Sequence, residues 1–496
     1  MRINARTVWS VAIGWPIALS ACALMFAAPG SAETLAQAIA AAYRKNPAID
    51  VQRAQLRATD EGVAIARSGY RPRLSATGSF NWDRTTTDTG GTTIVGPTGR
   101  LTDGGVTKSV DYEIAVMQPL FTGLQVTNRV REAEARVRAG QEQLRSAEHA
   151  LFLQVVDAYT GVLSAQASIS IVERAVRDAA RELRSARKRL ALQETTKTDV
   201  AQAEALRASA LADLAGVQGE LKAARAAYVE VVGHEPRRLV EPSISRRRLP
   251  RSLQEAISIA MREHPLIISA LYTEQAARNN VDATRGRLLP QASLTASHGL
   301  THDYPSDEDP GGNTRDTSFS ANVTIPIYEG GANHAAVRQA KQLHVSALQQ
   351  VEVERSRVRR AVATSWSQLE ALRKRHRYEL IRIRAEKATI LGIRREETIG
   401  QRSLNDLFVA QRNLLRSENA ELRTRRDVLV ASYRALADIG RLNSETHLPS
   451  STPVYDPTVH YEEVRRKWFG LSIVYSNGRQ EQLNAKLPPS KAPPSK

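Results

Sequence analysis

Two carboxylates each follow a hydroxyl by three residues, in Thr196-Lys197-Thr198-Asp199 and Ser403-Leu404-Asn405-Asp406. That spacing reads as the capping box of a helix N-terminus, with Asp in place of the usual Glu or Gln. Arg402 stands four residues before Asp406, the separation of a surface ion pair worth ~0.3–0.5 kcal/mol. The other candidates for chemistry are weaker. Gly104-Gly-Val-Thr-Lys108-Ser109 lacks the glycine before lysine that a phosphate loop needs, so a loop running into a strand is the better reading. His298 and His302 fall on one strand, about 13 Å apart by rise, too far to share a metal. Asp307-Glu308-Asp309 reads as a solvated loop rather than a calcium site. No nucleophile–base pair stands out, and catalysis, cofactor and metal are not expected.

The elements that carry these residues begin after a leader. Arg2 and Arg6 precede an acid-free apolar run from Val8 to Ala28, and Gly30-Ser31-Ala32 supplies small residues before Glu33. This is the pattern of a secretory signal over residues 1–32. Within it, Leu19-Ser20-Ala21-Cys22 resembles a lipoprotein cleavage site, although the apolar run continues past it. Removing the leader takes away two basic residues and the single cysteine, so the charge falls from +17 to +15. Disulfides and thiol chemistry are then excluded. Export argues against nucleic acid as the partner of the basic excess, which instead fits solvated helix faces. Aromatics at 5% suit Ala/Leu/Val helix seams better than compact globular cores.

The rest of the chain reads as an internal duplication. Leu35-Ala-Gln-Ala-Ile-Ala-Ala-Ala-Tyr-Arg-Lys-Asn-Pro47 returns as Leu253-Gln-Glu-Ala-Ile-Ser-Ile-Ala-Met-Arg-Glu-His-Pro265, with 6 of 13 positions identical. Pro72 matches Pro290 at the same offset of 218, and later landmarks hold an offset of 207. These are Pro119 with Pro326, Tyr159 with Trp366, Asp199 with Asp406 and Gly233 with Gly440. The expected organisation is a first repeat over 33–240, a linker over 241–252, a second repeat over 253–440, and an extension over 441–496 ending in a basic, proline-rich tail that reads as disordered. Each repeat has a short helix stopped by Asn-Pro or His-Pro, a helix of ~20 residues, a strand pair, a very long helix, and a closing helix of ~35 residues. The strand pairs are expected over about 70–118 and 288–325. The helices are expected over about 123–195, 199–232, 331–398 and 403–440.

The strands alternate. Leu74, Ala76, Gly78, Phe80 and Trp82 share one face, as do Val110, Tyr112, Ile114 and Val116, and likewise Phe319, Ala321, Val323 and Ile325. Tyr70, Trp82 and Tyr304 suit either an interfacial aromatic girdle or ordinary packing. The proline-free spans at ~1.5 Å rise reach ~100 Å and call for coiled-coil support. Val200, Ala203, Leu206, Ala210, Leu214, Val217, Leu221, Ala224, Tyr228 and Val231 supply a seam, while Glu132, Arg136, Arg181 and Arg184 are expected outside it. A closed barrel needs about eight strands, so several chains must pool theirs: two copies give eight and three give twelve, and three suits attached helices that must surround the same axis.

In order and duplicated, Glu33-Thr-Leu-Ala-Gln-Ala-Ile…Asn46-Pro47, Gly69-Tyr-Arg-Pro-Arg-Leu74, Gln118-Pro-Leu-Phe-Thr-Gly123, Thr198-Asp199-Val200 and Ile399-Gly400-Gln-Arg402-Ser-Leu-Asn-Asp406-Leu resemble the TolC-type outer-membrane efflux and secretion channels over nearly all of the mature chain. The resemblance implies a mainly α fold with a β-barrel portion: long antiparallel coiled-coil helices forming a periplasmic tunnel, and four strands per chain in a shared 12-stranded barrel. It implies a homotrimer in outer-membrane lipid, docked through a periplasmic adaptor to an inner-membrane transporter. It makes Asp199 and Arg402 the periplasmic gate and Asp406 an acidic ring at the constriction, where symmetric carboxylates draw cations and repel anions. Glu194, Thr195, Thr196, Thr198, Ile399, Gly400 and Ser403 become the adaptor-docking tip. The chain departs from the family pattern with Glu397 where a gating tyrosine occurs, Val409 where a second ring aspartate occurs, and Glu194 in place of a tip glycine. A periplasmic coiled-coil adaptor or rod without a pore is the alternative. The paired strands argue against it.

Overall fold

The computed structural model describes residues 32–84, 106–242, 249–305, 310–399, 401–449 and 452–473. The expected leader with Cys22, the acidic cluster at Asp307, Gly400 and the basic tail lie outside the described residues. The helices are α1 (Leu35–Lys45), α2 (Pro47–Arg67), α3 (Gln125–Ala191), α4 (Lys197–Val232), α5 (Leu253–Glu263), α6 (Pro265–Arg285), α7 (Ala332–Thr398), α8 (Leu404–Ile439), α9 (Ser444–His447) and α10 (Pro457–Arg466). Lengths of 11, 21, 67 and 36 residues therefore occur twice in the same order, in α1–α4 and again in α5–α8.

One residue does two jobs at each short-helix stop. Asn46 ends α1, and its side chain accepts the Ala48 N–H to start α2. His264 does the same between α5 and α6, its Nδ1 accepting the Leu266 N–H. The following proline fits because an N1 residue has no intrahelical partner for its missing N–H.

The strands are β1 (Arg73–Arg84), β2 (Val106–Phe121), β3 (Gln291–Asp303) and β4 (Gly312–Thr324), antiparallel in the order β1-β2-β3-β4. β2 reaches three residues further than the expected strand pair, through Pro119, where the register with β3 shifts. The register brings Leu74, Val116, Ala296 and Phe319 into one row. The adjacent row, Ser75, Ala115, Ser297 and Ser318, lies on the opposite face. On that polar face Asp111 accepts from Asn81 at 2.7 Å and from Thr301 at 2.7 Å. His298 and His302, four residues apart on β3, bond across to Thr317 and Asn313. At the base of the sheet the chain is fixed by a close backbone approach. Gly123, at φ +59°, leaves no room for a Cβ, which would meet the Gly286 carbonyl at 2.3 Å.

The helical core sits where the short helices pack on α3. Tyr43, Phe152, Tyr159 and Tyr228 are completely buried there. The Tyr159 hydroxyl engages the Glu33 carbonyl at 2.7 Å, the Val240 carbonyl at 2.7 Å and the Val240 N–H at 2.9 Å. It thereby ties the segment before α1 to the segment after α4. Along α4, every one of the expected seam positions is buried or half-buried. Arg136, Arg181 and Arg184 are exposed as expected, but Glu132 is not. Arg136 lies over it in an ion pair, leaving the Glu132 side chain 13% exposed.

Candidate functional site: the helical tip

α3 turns into α4, and α7 into α8, at the end of the molecule remote from the sheet. The first turn needs a left-handed residue, Gln193 at φ 57°, and the Glu194 N–H closes it onto the Arg189 carbonyl at 2.9 Å. The second closes with the Gln401 N–H on the Glu396 carbonyl at 2.8 Å. Glu194, Thr196, Thr198, Ile399 and Ser403 are exposed at these turns and Thr195 is half-buried.

Both capping boxes form. The Asp199 carboxylate accepts from the Thr196 hydroxyl at 2.7 Å, the Thr195 hydroxyl at 2.7 Å and the Thr196 N–H at 3.0 Å. These donors hold its pKa below the ordinary carboxylate value, the Thr196 hydroxyl contributing most. Asp406 accepts from the Ser403 hydroxyl at 2.9 Å and the Ser403 N–H at 3.2 Å. Arg402 does not take Asp406 as its partner, as the four-residue spacing suggested. It donates to Glu396 at 3.1 Å, because the turn directs the side chain back onto α7. Among the described residues no hydrogen bond or ion pair joins Asp199 to Arg402.

The contacts that join the two hairpins involve other residues. Arg189 near the end of α3 pairs with Glu397 near the end of α7 at 2.5 Å, with Glu397 9% exposed. The Arg189 pKa is raised above its ordinary value, chiefly by the hydrogen bond to Glu397. Arg394 and Glu182 form a second such pair at 3.0 Å. Between them Phe408, buried on α8, packs with Leu183 and Ala186 of α3 and Ala203 of α4. Sequence spacing had singled out neither Arg189 nor Phe408. The seam periodicity that runs through Ala203 was the available signal for Phe408, while residues 208 positions apart give none for Arg189 and Glu397.

An open four-stranded sheet with one bare apolar face, fused to paired helices of about 100 Å with a cross-braced tip, is the architecture of a subunit of an outer-membrane duct. The family model described as "Outer membrane efflux protein" matches residues 38–234 and 256–439, and the chain belongs to that family. Among its relatives is the outer membrane efflux protein BepC of Brucella suis biovar 1, 37% identical over 445 residues, which span 88% of this chain and 92% of BepC. The outer membrane protein TolC of Vibrio cholerae is 24% identical over 426 residues, 84% of this chain and 92% of TolC. Among solved structures, the Campylobacter jejuni CmeC outer membrane channel superposes with a TM-score of 0.69 at 15% identity, covering 87% of this chain and 89% of that one. The chain is thus an outer-membrane channel component rather than an enzyme, with its long helices in the periplasm.

Proposed function

We propose that three copies of this chain form a passive exit duct for an efflux pump or type I secretion system, opened at its periplasmic tip when an adaptor and inner-membrane transporter dock. The observation that carries the reading is the sheet. Among the described residues β1 and β4 are unpaired edges, and Leu74, Phe80, Tyr112, Phe319 and Val323 are exposed on the sheet's surface. An exposed apolar sheet with open edges is unstable in water and impossible in lipid unless copies close it. Three copies make a twelve-stranded barrel, apolar to the lipid and polar to the lumen. The twice-repeated helix lengths support an internal duplication, with repeats over 33–240 and 253–440. They would give each subunit two equivalent hairpins and the trimer a closed helical wall.

In this reading Arg189–Glu397, Arg394–Glu182 and the Phe408 contact hold each subunit's two hairpins together. Asp199 and Arg402 face neighbouring subunits at the gate, and three Asp406 carboxylates form the cation-attracting ring. Glu194, Thr195, Thr196, Thr198, Ile399, Gly400 and Ser403 offer the adaptor surface. No step draws energy from this chain; the partner transporter supplies it. Outer-membrane extraction followed by gel migration with and without heating tests the assembly. A heat-sensitive trimer is expected, and a soluble monomer would instead favour a periplasmic rod.

A further inference from the structure

The family match ends at residue 439, yet the described chain continues to residue 473 and returns to the sheet. α10 runs alongside α2 in the same direction. His460 Nδ1 meets the Asp60 carboxylate at 2.9 Å, and about two turns further on Arg71 donates to the Lys467 carbonyl at 3.0 Å. Asp60 is completely buried in the first contact, so the extension is fastened rather than loosely laid on the surface. α2 leads into β1, so α10 points toward the membrane. It delivers Trp468 to the level of Arg71, two residues before β1 begins, with the guanidinium 4.5 Å from the indole centroid.

Beyond Trp468 the chain turns through Gly470, at φ +107°, and is held by the Lys467 ammonium on the Ser472 carbonyl at 2.7 Å. The turn leaves Phe469 87% and Leu471 83% exposed, with Trp468 and Ile473 also open. Basic residues lie near this cluster: Arg71 against Trp468, and the exposed Arg466 at the end of α10, while Arg465 is engaged by Glu462 at 3.6 Å. Bare aromatic and aliphatic side chains beside arginines, at the edge of an apolar strand face, match the interfacial layer of a bilayer in both chemistry and position. Anionic headgroups complement the basic side chains while the acyl-chain ends beneath them take the apolar ones.

We propose that residues 467–473 are a second membrane contact, seated in the periplasmic leaflet of the outer membrane, with Trp468, Phe469 and Leu471 among the acyl-chain ends nearest the glycerol and Arg71 and the neighbouring basic side chains on anionic phospholipid headgroups. The proposal requires the outer-membrane placement but neither the trimer nor the tip gate. The test uses the full chain with Trp82→Phe and Trp366→Phe, which leaves Trp468 as the only tryptophan after the leader. It is reconstituted into vesicles of phosphatidylethanolamine and phosphatidylglycerol whose acyl chains are brominated close to the headgroup. Trp468 emission falls by about half and shifts to the blue, and falls less when the bromines are near the chain ends or phosphatidylcholine replaces the anionic lipid. Should the double variant fold poorly, Phe469→Cys carrying an environment-sensitive dye reports the same contact, with the labelled parent chain as blank. Unquenched emission at the wavelength of solvated tryptophan overturns the proposal. So does shielding that arises only when an adaptor protein is added.

Discussion

The strongest expectation concerns the tip, where Glu397, at a position for which the family resemblance suggests a tyrosine, is the more covered half of an inter-hairpin ion pair. Exposed pairs contribute about 0.2–1 kcal/mol and charge-assisted hydrogen bonds about 1.5–3 kcal/mol. With Glu397 9% exposed and Arg189 41% exposed, the Arg189–Glu397 pair falls between these limits, at about 1–1.5 kcal/mol per chain. Summed over a trimer, its loss destabilises the closed state by roughly 3–4.5 kcal/mol, which raises the open-to-closed ratio about a hundred- to a thousandfold. By contrast, Arg402 and Glu396 are 53% and 46% exposed, so that pair falls at the low end of the exposed range, about 0.2–0.5 kcal/mol per chain, and its loss from all three chains changes the ratio about three- to tenfold. Glu397→Gln keeps the shape and an acceptor while removing the charge, so it isolates the electrostatic part. A double-mutant cycle with Arg189→Ala measures the coupling. Single-channel recording in planar bilayers should show Glu397→Gln and Arg189→Ala opening far more than Arg402→Ala, and the double variant opening little more than either single one. Asp199 and Arg402 then close the gate between subunits whose hairpins Arg189 and Glu397 hold in place, and if Arg402→Ala opens the channel wider than both, the larger share assigned to Arg189 and Glu397 fails.

Other expectations follow from the same geometry. His149 and His264 are buried and held neutral, both with pKa lowered by desolvation from 6.5 to about 4. Their neutral forms favour the folded state above pH 6.5, and that advantage of up to about 3 kcal/mol each is lost as pH falls from 6.5 toward 4. His264→Asn copies the Asn46 cap, so thermal unfolding of that variant should match the parent at pH 7.5 and be the more stable of the two at pH 4.5. Asp406→Asn keeps a side-chain acceptor for the capping box but removes the charge. If the acidic ring is real, reversal potentials lose cation preference while unfolding stays within about 1 kcal/mol of the parent. Tyr159→Phe strands the Glu33 and Val240 backbone groups and should cost about 2–4 kcal/mol, seen as faster amide exchange in residues 33–40 and 238–242.

What the sequence revealed follows from the range of the interactions involved. Helix stops were legible because Asn46-Pro47 and His264-Pro265 act within two residues. The strand faces were legible because Leu74 to Trp82 alternate with the period of the pleat. The α4 seam was legible because alanine and leucine recur every three or four residues, and all its positions are indeed covered. The capping boxes at Asp199 and Asp406 are likewise local. Glu132 was misplaced because a charge on a long helix reads as solvated until Arg136 is seen lying across it.

The tip pairs belong to the opposite regime. Arg189 and Glu397 meet only because two helices of 67 residues end at the same height, and a shift of a single residue in either would rotate one partner by about 100° around its axis. Equal helix lengths are therefore themselves part of the lock, since they set the phase at which opposite charges meet far from the core that aligns them. A carboxylate at that phase, opposite an arginine, provides a contact whose strength depends on charge, and it weakens with salt where a packed aromatic would not. The channel should accordingly open more readily at 1 M than at 0.1 M salt, and Glu397→Gln should abolish most of that dependence.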